Sequence, residues 1–143
     1  MKQALTALVI SALPAMAAAE GAVVTPYEGS FDDATFAVEN AITNQGYVVD
    51  YVSHVNDMLQ RTGKDLGSGA EIFKDAQIYV FCSAVVSRKV MEADPMNIAY
   101  CPYGIFVAEN DDGVMIGRRD YPDGPMDIVE EMLDSIIAEA AEG

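Results

Sequence analysis

The stretch YGIFVAENDDGVMIGR, residues 103–118, decides the fold class of this chain. It consists of two strand-like segments, 103–109 and 114–118, separated by the turn sequence Asn-Asp-Asp-Gly. Asp-Gly tolerates the positive φ that a tight turn between antiparallel strands requires. The stretch therefore predicts a β-hairpin, around which the other elements can be arranged.

Helix and strand patterns lie on both sides of this hairpin. Downstream, residues 125–141 predict a closing helix with a single apolar face, which carries Val129, Met132, Leu133, Ile136, Ile137 and Ala140. Upstream, β-forming runs predict strands over 22–28, 47–55 and 78–82. Helices are predicted after Ser30, Asn56 and Ser83, because each of these residues can act as an N-cap. The pattern indicates an α+β domain in which helices pack on an antiparallel sheet.

Residues 1–19 resemble a cleavable secretory signal peptide. Lys2 forms a short basic region, the run from Ala4 to Ala15 is apolar but shorter than a membrane span, and Ala17 to Ala19 fit a signal-peptidase site. No later apolar run is long enough to cross a membrane. We therefore expect residues 20–143 to form one domain, located in the periplasm of a bacterium.

The composition argues against several classes of partner. The chain has 8 basic and 23 acidic residues and a net charge of -15. Such a surface repels phosphate backbones and anionic lipid headgroups, so nucleic acid is not expected as a partner. The charge is sufficiently explained by solubility, although it would also favour a basic protein partner or a cation.

Cys82 and Cys101 are the only cysteines, and export would place them in an oxidising compartment. Their separation of 19 positions excludes the C-x-x-C redox motif, zinc-ribbon spacings and the attachment motif of c-type haem. Three interpretations remain open: a disulfide between Cys82 and Cys101, a functional thiol or ligand pair, and two inert buried thiols.

His54 is the only histidine and lies where the second strand meets the next helix. With Met58 and the two cysteines it would suit a soft metal such as copper, and His54, Cys82 and Cys101 form the candidate metal set. The simpler interpretation is a strand-end histidine bonded to backbone, with methionines that only fill the core. One histidine, no G-x-S-x-G sequence and no phosphate-binding loop argue against a hydrolase.

Two stretches carry a family resemblance: FCSAVVSRKVMEADPMNIAYCPYGIFVAE (residues 81–109) and YVSHVNDMLQRTGKDLG (residues 51–67). They resemble the exported branch of the domain of unknown function 302 family, over about residues 31–118. In that family a strand ends in Cys-Asn-Pro or a related triplet. A helix then stops at Asp-Pro, and a second cysteine opens the next strand. Cys82 and Cys101 fall on the two cysteine positions. Ser83-Ala84 replaces the usual Asn-Pro, and Pro102 follows the second cysteine.

The resemblance implies a curved antiparallel sheet with helices on one face, similar to the TATA-binding-protein arrangement, and commonly a homodimer. It implies no established reaction. Relatives without export signals also carry both cysteines, which favours a role beyond a structural disulfide.

Three functions therefore remain to be tested. The first is a non-catalytic accessory protein that binds a metal ion, haem or a small ligand at Cys82 and Cys101, with His54, Arg88 and Tyr103 nearby. The second is a thiol-disulfide redox protein that uses the same cysteines. The third is an acidic interaction module.

Overall fold

The fold is built from five strands and four α-helices, and the computed structural model describes residues 21–142. The signal peptide predicted for residues 1–19 lies outside them. The strands are β1 (Ala22–Tyr27), β2 (Val49–Ser53), β3 (Asp75–Phe81), β4 (Tyr103–Asn110) and β5 (Gly113–Arg119). The helices are α1 (Phe31–Asn44), α2 (Val55–Asp65), α3 (Ala84–Ala93) and α4 (Asp127–Glu142), and a 3₁₀ helix spans Pro95–Tyr100.

The strands form one open antiparallel sheet in the order β1-β5-β4-β3-β2. The predicted hairpin is confirmed, because β4 and β5 pair from Ile105 with Arg118 to Asn110 with Gly113. Gly113 has φ +124°, and the Asp112 N–H donates to the Asn110 side chain at 2.9 Å. Asp112 therefore serves the turn.

Helices α1 and α4 cover one face of the sheet. A reciprocal capping box between Ser30 and Asp33 starts α1, and Gly46, at φ +85°, follows its end. The apolar faces of both helices are buried against the inward residues of the central strands, which are Tyr79, Phe81, Tyr103, Ile105, Val107 and Ile116. This arrangement confirms the predicted α+β class, with helices on one side of an antiparallel sheet.

The opposite face of the sheet is only partly covered. Strand register places Ile78 beside Phe106 on this face, with Val80 two positions along. All three side chains are half-buried. Phe106 packs over Gly117 of β5, where a Cβ would lie 2.3 Å from the ring. We call this surface the open face.

Two local features differ from the sequence prediction. Helix α2 begins at Val55, so His54 is its N-cap residue and Asn56 lies within its first turn. Asn56 is buried, and its side-chain amide donates to the Lys74 carbonyl at 2.9 Å. Tertiary hydrogen bonding therefore uses the side chain that was expected to cap the helix. The 3₁₀ helix after α3 was also not predicted.

Within residues 21–142, no helix is both long and apolar enough to cross a membrane.

Candidate functional site

The two cysteines meet at one end of the central strands. Phe81, the last residue of β3, pairs with Tyr103, the first residue of β4. Cys82 and Cys101 flank this pair, and their Sγ atoms lie 3.3 Å apart as free thiols. Cys82 is exposed and Cys101 is half-buried. The structure thus places both predicted residues in one accessible site.

The segment between the cysteines folds back toward its start because hydrogen bonds fix α3 at both ends. Ser83 directly follows Cys82, and its buried hydroxyl accepts the Val86 N–H at 3.3 Å, which starts the helix. Beyond the helix, the Asn97 side chain donates to the Val90 carbonyl at 2.9 Å. These bonds turn the chain back so that Cys101 arrives beside Cys82.

Ser87 and Tyr103 form the inner wall of the site. The Ser87 hydroxyl donates to the Tyr103 phenol oxygen at 3.2 Å and lies 3.8 Å from Cys101 Sγ. Tyr103 is almost fully buried, and burial is the main reason that its pKa lies above the ordinary value of a phenol. Tyr103 therefore stays neutral at physiological pH, and its hydrogen bond with Ser87 helps to hold the Ser87 hydroxyl beside Cys101.

The Cys82 thiol is held in its protonated form. Partial burial of the sulfur, followed by its hydrogen bond to Cys101 and the nearby charges of Cys101 and Asp50, raises the pKa of Cys82 to about 11. Asp50 lies in a register irregularity of β2, beside the end of β3. At neutral pH, Cys82 is therefore a thiol and a weak nucleophile.

A groove of about 480 Å³ runs along the open face and ends at Cys101. Its walls include Ile78, Val80, Phe106, Tyr103, Tyr121 and Arg119. The Arg119 guanidinium lies 6.0 Å from the centre of the Tyr121 ring. Tyr121 in turn contacts Tyr100, the residue before Cys101, with ring centres 5.9 Å apart. An aromatic cluster thus links the arginine to the cysteine end of the groove.

His54 does not lie in this site. Ser53, its neighbour in β2, pairs with Ile78 near the middle of β3, whereas Val49 at the other end of β2 pairs with Phe81. Since strands rise about 3.3 Å per residue, His54 is well removed from Cys82. Met58 lies further along, in α2, and is 47% exposed. The predicted set of His54, Met58 and the cysteines is therefore not brought together.

Arg88 also points away from the cysteines. It is exposed on α3, where its Nε donates to Glu92 at 2.6 Å in an i,i+4 pair. Its neighbour Ser87 faces Cys101 instead, because successive helical residues point about 100° apart. Of the predicted polar neighbours, Tyr103 lies in the site and Arg88 does not.

The described part of the chain contains no group of three or more His, Cys, Asp or Glu side chains that could hold a metal ion. A structural zinc site needs four ligands and a catalytic one needs three. Of the candidate metal set of Cys82, Cys101 and His54, only the two cysteines therefore lie together. The two thiols remain as a dithiol.

Ser87, Arg119 and Tyr121 were not identified as site residues from the sequence. Ser87 is marked only by its helical spacing of four from the N-cap Ser83. Arg119 and Tyr121 reach the groove because β5 lies beside β4 and the chain after β5 returns toward Tyr100. That proximity is a tertiary property that local spacing does not encode.

Comparison with known proteins agrees with this fold. The family model described as "Domain of unknown function DUF302" matches residues 22–142. The crystal structure of an uncharacterised conserved DUF302 protein from Bacillus stearothermophilus superposes with a TM-score of 0.60 at 16% sequence identity. The match covers 87% of this chain and 90% of the other. A comparison with curated proteins gives no match.

Proposed function

This chain belongs to the DUF302 family, and we propose that it is a thiol-disulfide redox protein in which Cys82 and Cys101 alternate between two thiols and a disulfide. The family description names no reaction. The proposal rests on the geometry of the two cysteines.

The observation that carries the proposal is the Sγ–Sγ distance of 3.3 Å between Cys82 and Cys101. A disulfide bond is about 2.05 Å long, so oxidation requires the sulfurs to approach by only about 1.2 Å. Small side-chain rotations at two strand ends can supply this movement without a rearrangement of the sheet.

Accessibility supports a reversible bond over a permanent one. Cys82 is exposed, and neither cysteine belongs to the buried core. Exposed disulfides tend to be the labile ones, whereas structural disulfides resist reduction. A partner can reach the pair both from solvent, at Cys82, and from the groove, at Cys101.

The exchange needs a disulfide as its co-reactant. The Cys101 thiol gives up its proton, its sulfur bonds to one sulfur of the co-reactant, and the other sulfur leaves and is protonated. Cys82 then loses its proton and attacks Cys101 Sγ, which releases the second thiol. The protein loses two electrons and two protons, and the co-reactant disulfide gains them.

The high pKa of Cys82 fits this order of events. While Cys101 is not part of a disulfide, its hydrogen bond, and its negative charge when it is a thiolate, contribute to keeping Cys82 protonated. Once Cys101 Sγ is part of a mixed disulfide, both contributions disappear and the pKa of Cys82 falls. Cys82 then becomes a better nucleophile at the step where it is needed.

A metal or haem site has weaker support, because only two of the proposed ligands come together. The periplasmic location belongs to the proposal as well, since a signal-like segment at residues 1–19 would deliver the pair to an oxidising compartment. Fractionation of the native host and N-terminal sequencing of the mature protein would test it. A full-length cytosolic chain would contradict it.

The redox proposal is tested by titration of the purified protein in buffers of graded thiol and disulfide ratio, with maleimide mass-tagging of free cysteines. We expect both cysteines to change state together, with a midpoint above about -300 mV. The Cys82→Ser and Cys101→Ser variants serve as controls that cannot form the internal bond. The proposal would be overturned if the bond never forms, or if its midpoint potential lies below about -300 mV.

A further inference from the structure

We infer that the groove beside Cys101 binds a small disulfide with an apolar body and a carboxylate, and that Arg119 holds this carboxylate during exchange. The inference rests on the proposed redox function. It adds the class of the substrate and the residue that selects it.

The size of the groove fits a small molecule. Its volume of about 480 Å³ lies within the range of about 300–1,000 Å³ that is usual for small-molecule sites. A folded protein partner would meet the exposed Cys82 more readily than Cys101 at the end of this groove. A small disulfide can instead lie along the groove and place one sulfur beside Cys101.

The floor of the groove is apolar. Ile78, Val80 and Phe106 project from neighbouring strands onto the open face, and Gly104 leaves room between them because it has no side chain. Helices α1 and α4 cover the other face of the sheet. An apolar or aromatic ligand body would remove these side chains from water, which favours its binding.

Arg119 provides a positive charge at the groove of a strongly acidic protein. The neighbouring Arg118 is buried and occupied by Glu130 and Asp134. Arg119 points to the opposite side of β5, is exposed, and forms no ion pair with any carboxylate in residues 21–142. The guanidinium fork matches a carboxylate with two parallel hydrogen bonds.

The aromatic cluster sets where that charge lies. The Arg119 guanidinium lies over Tyr121, and Tyr121 contacts both Tyr100 and Tyr103. Arg119 and Cys101 line the same groove. A ligand whose carboxylate meets Arg119 can therefore direct its sulfur atoms toward Cys101.

The test compares two aromatic disulfides of similar reactivity. 5,5′-Dithiobis(2-nitrobenzoate) carries two carboxylates, whereas 4,4′-dithiodipyridine is neutral, and the product that each releases can be followed by its absorbance. The oxidation rate of the reduced protein is measured with each. Arg119→Gln should slow the reaction with the carboxylate probe about tenfold and change the neutral probe less than about twofold.

Arg88→Gln is the matched control, because it removes an exposed arginine outside the groove and changes the net charge equally. It should leave both rates within about twofold of wild type, since surface ion pairs contribute little. Equal slowing by both substitutions would indicate a general charge effect and overturn the inference. The inference would also be overturned if Arg119→Gln slows the reaction with both probes equally, or with neither.

A second measurement separates this inference from the redox proposal. With the carboxylate probe, Cys101 in the Cys82→Ser variant should form the mixed disulfide faster than Cys82 in the Cys101→Ser variant. The reverse order would overturn the groove assignment while leaving the redox proposal intact. If wild-type protein forms no internal disulfide with either probe, the redox proposal itself fails.

Discussion

Arg118 forms a two-point ion pair with Asp134, from Nε to Oδ1 at 2.5 Å and from Nη2 to Oδ2 at 2.9 Å. Its Nη1 also donates to Glu130 at 2.7 Å. Hydrogen bonding to Asp134 is the main reason that the pKa of Arg118 is raised. The pair joins β5 to α4 on the covered face, whereas Arg119 points to the groove because side chains alternate along a strand.

Arg118→Ala should lower the free energy of unfolding by about 3 kcal/mol, because it removes the partner of two carboxylates and leaves a gap beneath α4. Urea denaturation monitored by circular dichroism measures the change. Arg119→Ala is the control, and its effect should stay within about 0.5 kcal/mol because its side chain is exposed. A loss below about 1 kcal/mol for Arg118→Ala would mean that the pair contributes little to the fold.

Gly117→Ala should destabilise the sheet by about 1–3 kcal/mol. An added Cβ would lie 2.3 Å from the Phe106 ring and 2.8 Å from the Val23 carbonyl oxygen, and the backbone contact cannot move easily. Gly104→Ala on the same face is the comparison, since its nearest contact would be an ordinary 3.4 Å to Ile78. Equal denaturation midpoints for the two variants would contradict this account of the Phe106 packing.

Much of the fold could be predicted from the sequence, because local chemistry fixes it. Asp112-Gly113 forms the expected turn, Ser30 and Asp33 form the expected capping box, and Pro26 lies in β1 at an edge of the sheet. Each of these signals acts within a few residues. They survive folding because tertiary contacts do not compete with them.

The site could be predicted only in part. Cys82 and Cys101 adjoin strand ends, and strand pairing brings them together as expected. His54 lies apart from them, because the antiparallel course of β2 carries it away from that end of β3. Arg119 was missed, since its place beside the groove depends on strand order. The homodimer and the basic partner stay predictions.

The rate of Cys82 alkylation by iodoacetamide should rise about tenfold per pH unit between pH 8 and 10, because a pKa of about 11 leaves the thiolate scarce. Peptide mass spectrometry distinguishes Cys82 from Cys101. In Cys101→Ala the rise should shift to lower pH, although burial, the largest cause, remains. A rate that levels off below about pH 9.5 in the wild type would contradict a raised pKa.

The stability of the folded protein at alkaline pH should depend on the Cys82 thiol. An unfolded chain ionises Cys82 near its ordinary value of 9.0, whereas the folded chain does so near 11. The contribution of Cys82 to folding is therefore complete below about pH 9 and is lost as the pH rises toward 11. Cys82→Ala should show a smaller decline in denaturation midpoint across this interval than the wild type, and an unchanged decline would contradict the linkage.

His54→Ala should leave the midpoint potential of the cysteine pair unchanged, because β2 carries His54 away from Cys82. Asp50→Asn is the informative counterpart, since the Asp50 charge contributes to raising the pKa of Cys82. Asp50→Asn should lower that pKa and speed alkylation of Cys82, whereas His54→Ala should do neither. Redox titration and alkylation kinetics of the two variants measure both effects. If the midpoint potential shifts by more than about 30 mV in His54→Ala, the histidine does influence the cysteine pair, and this prediction is wrong.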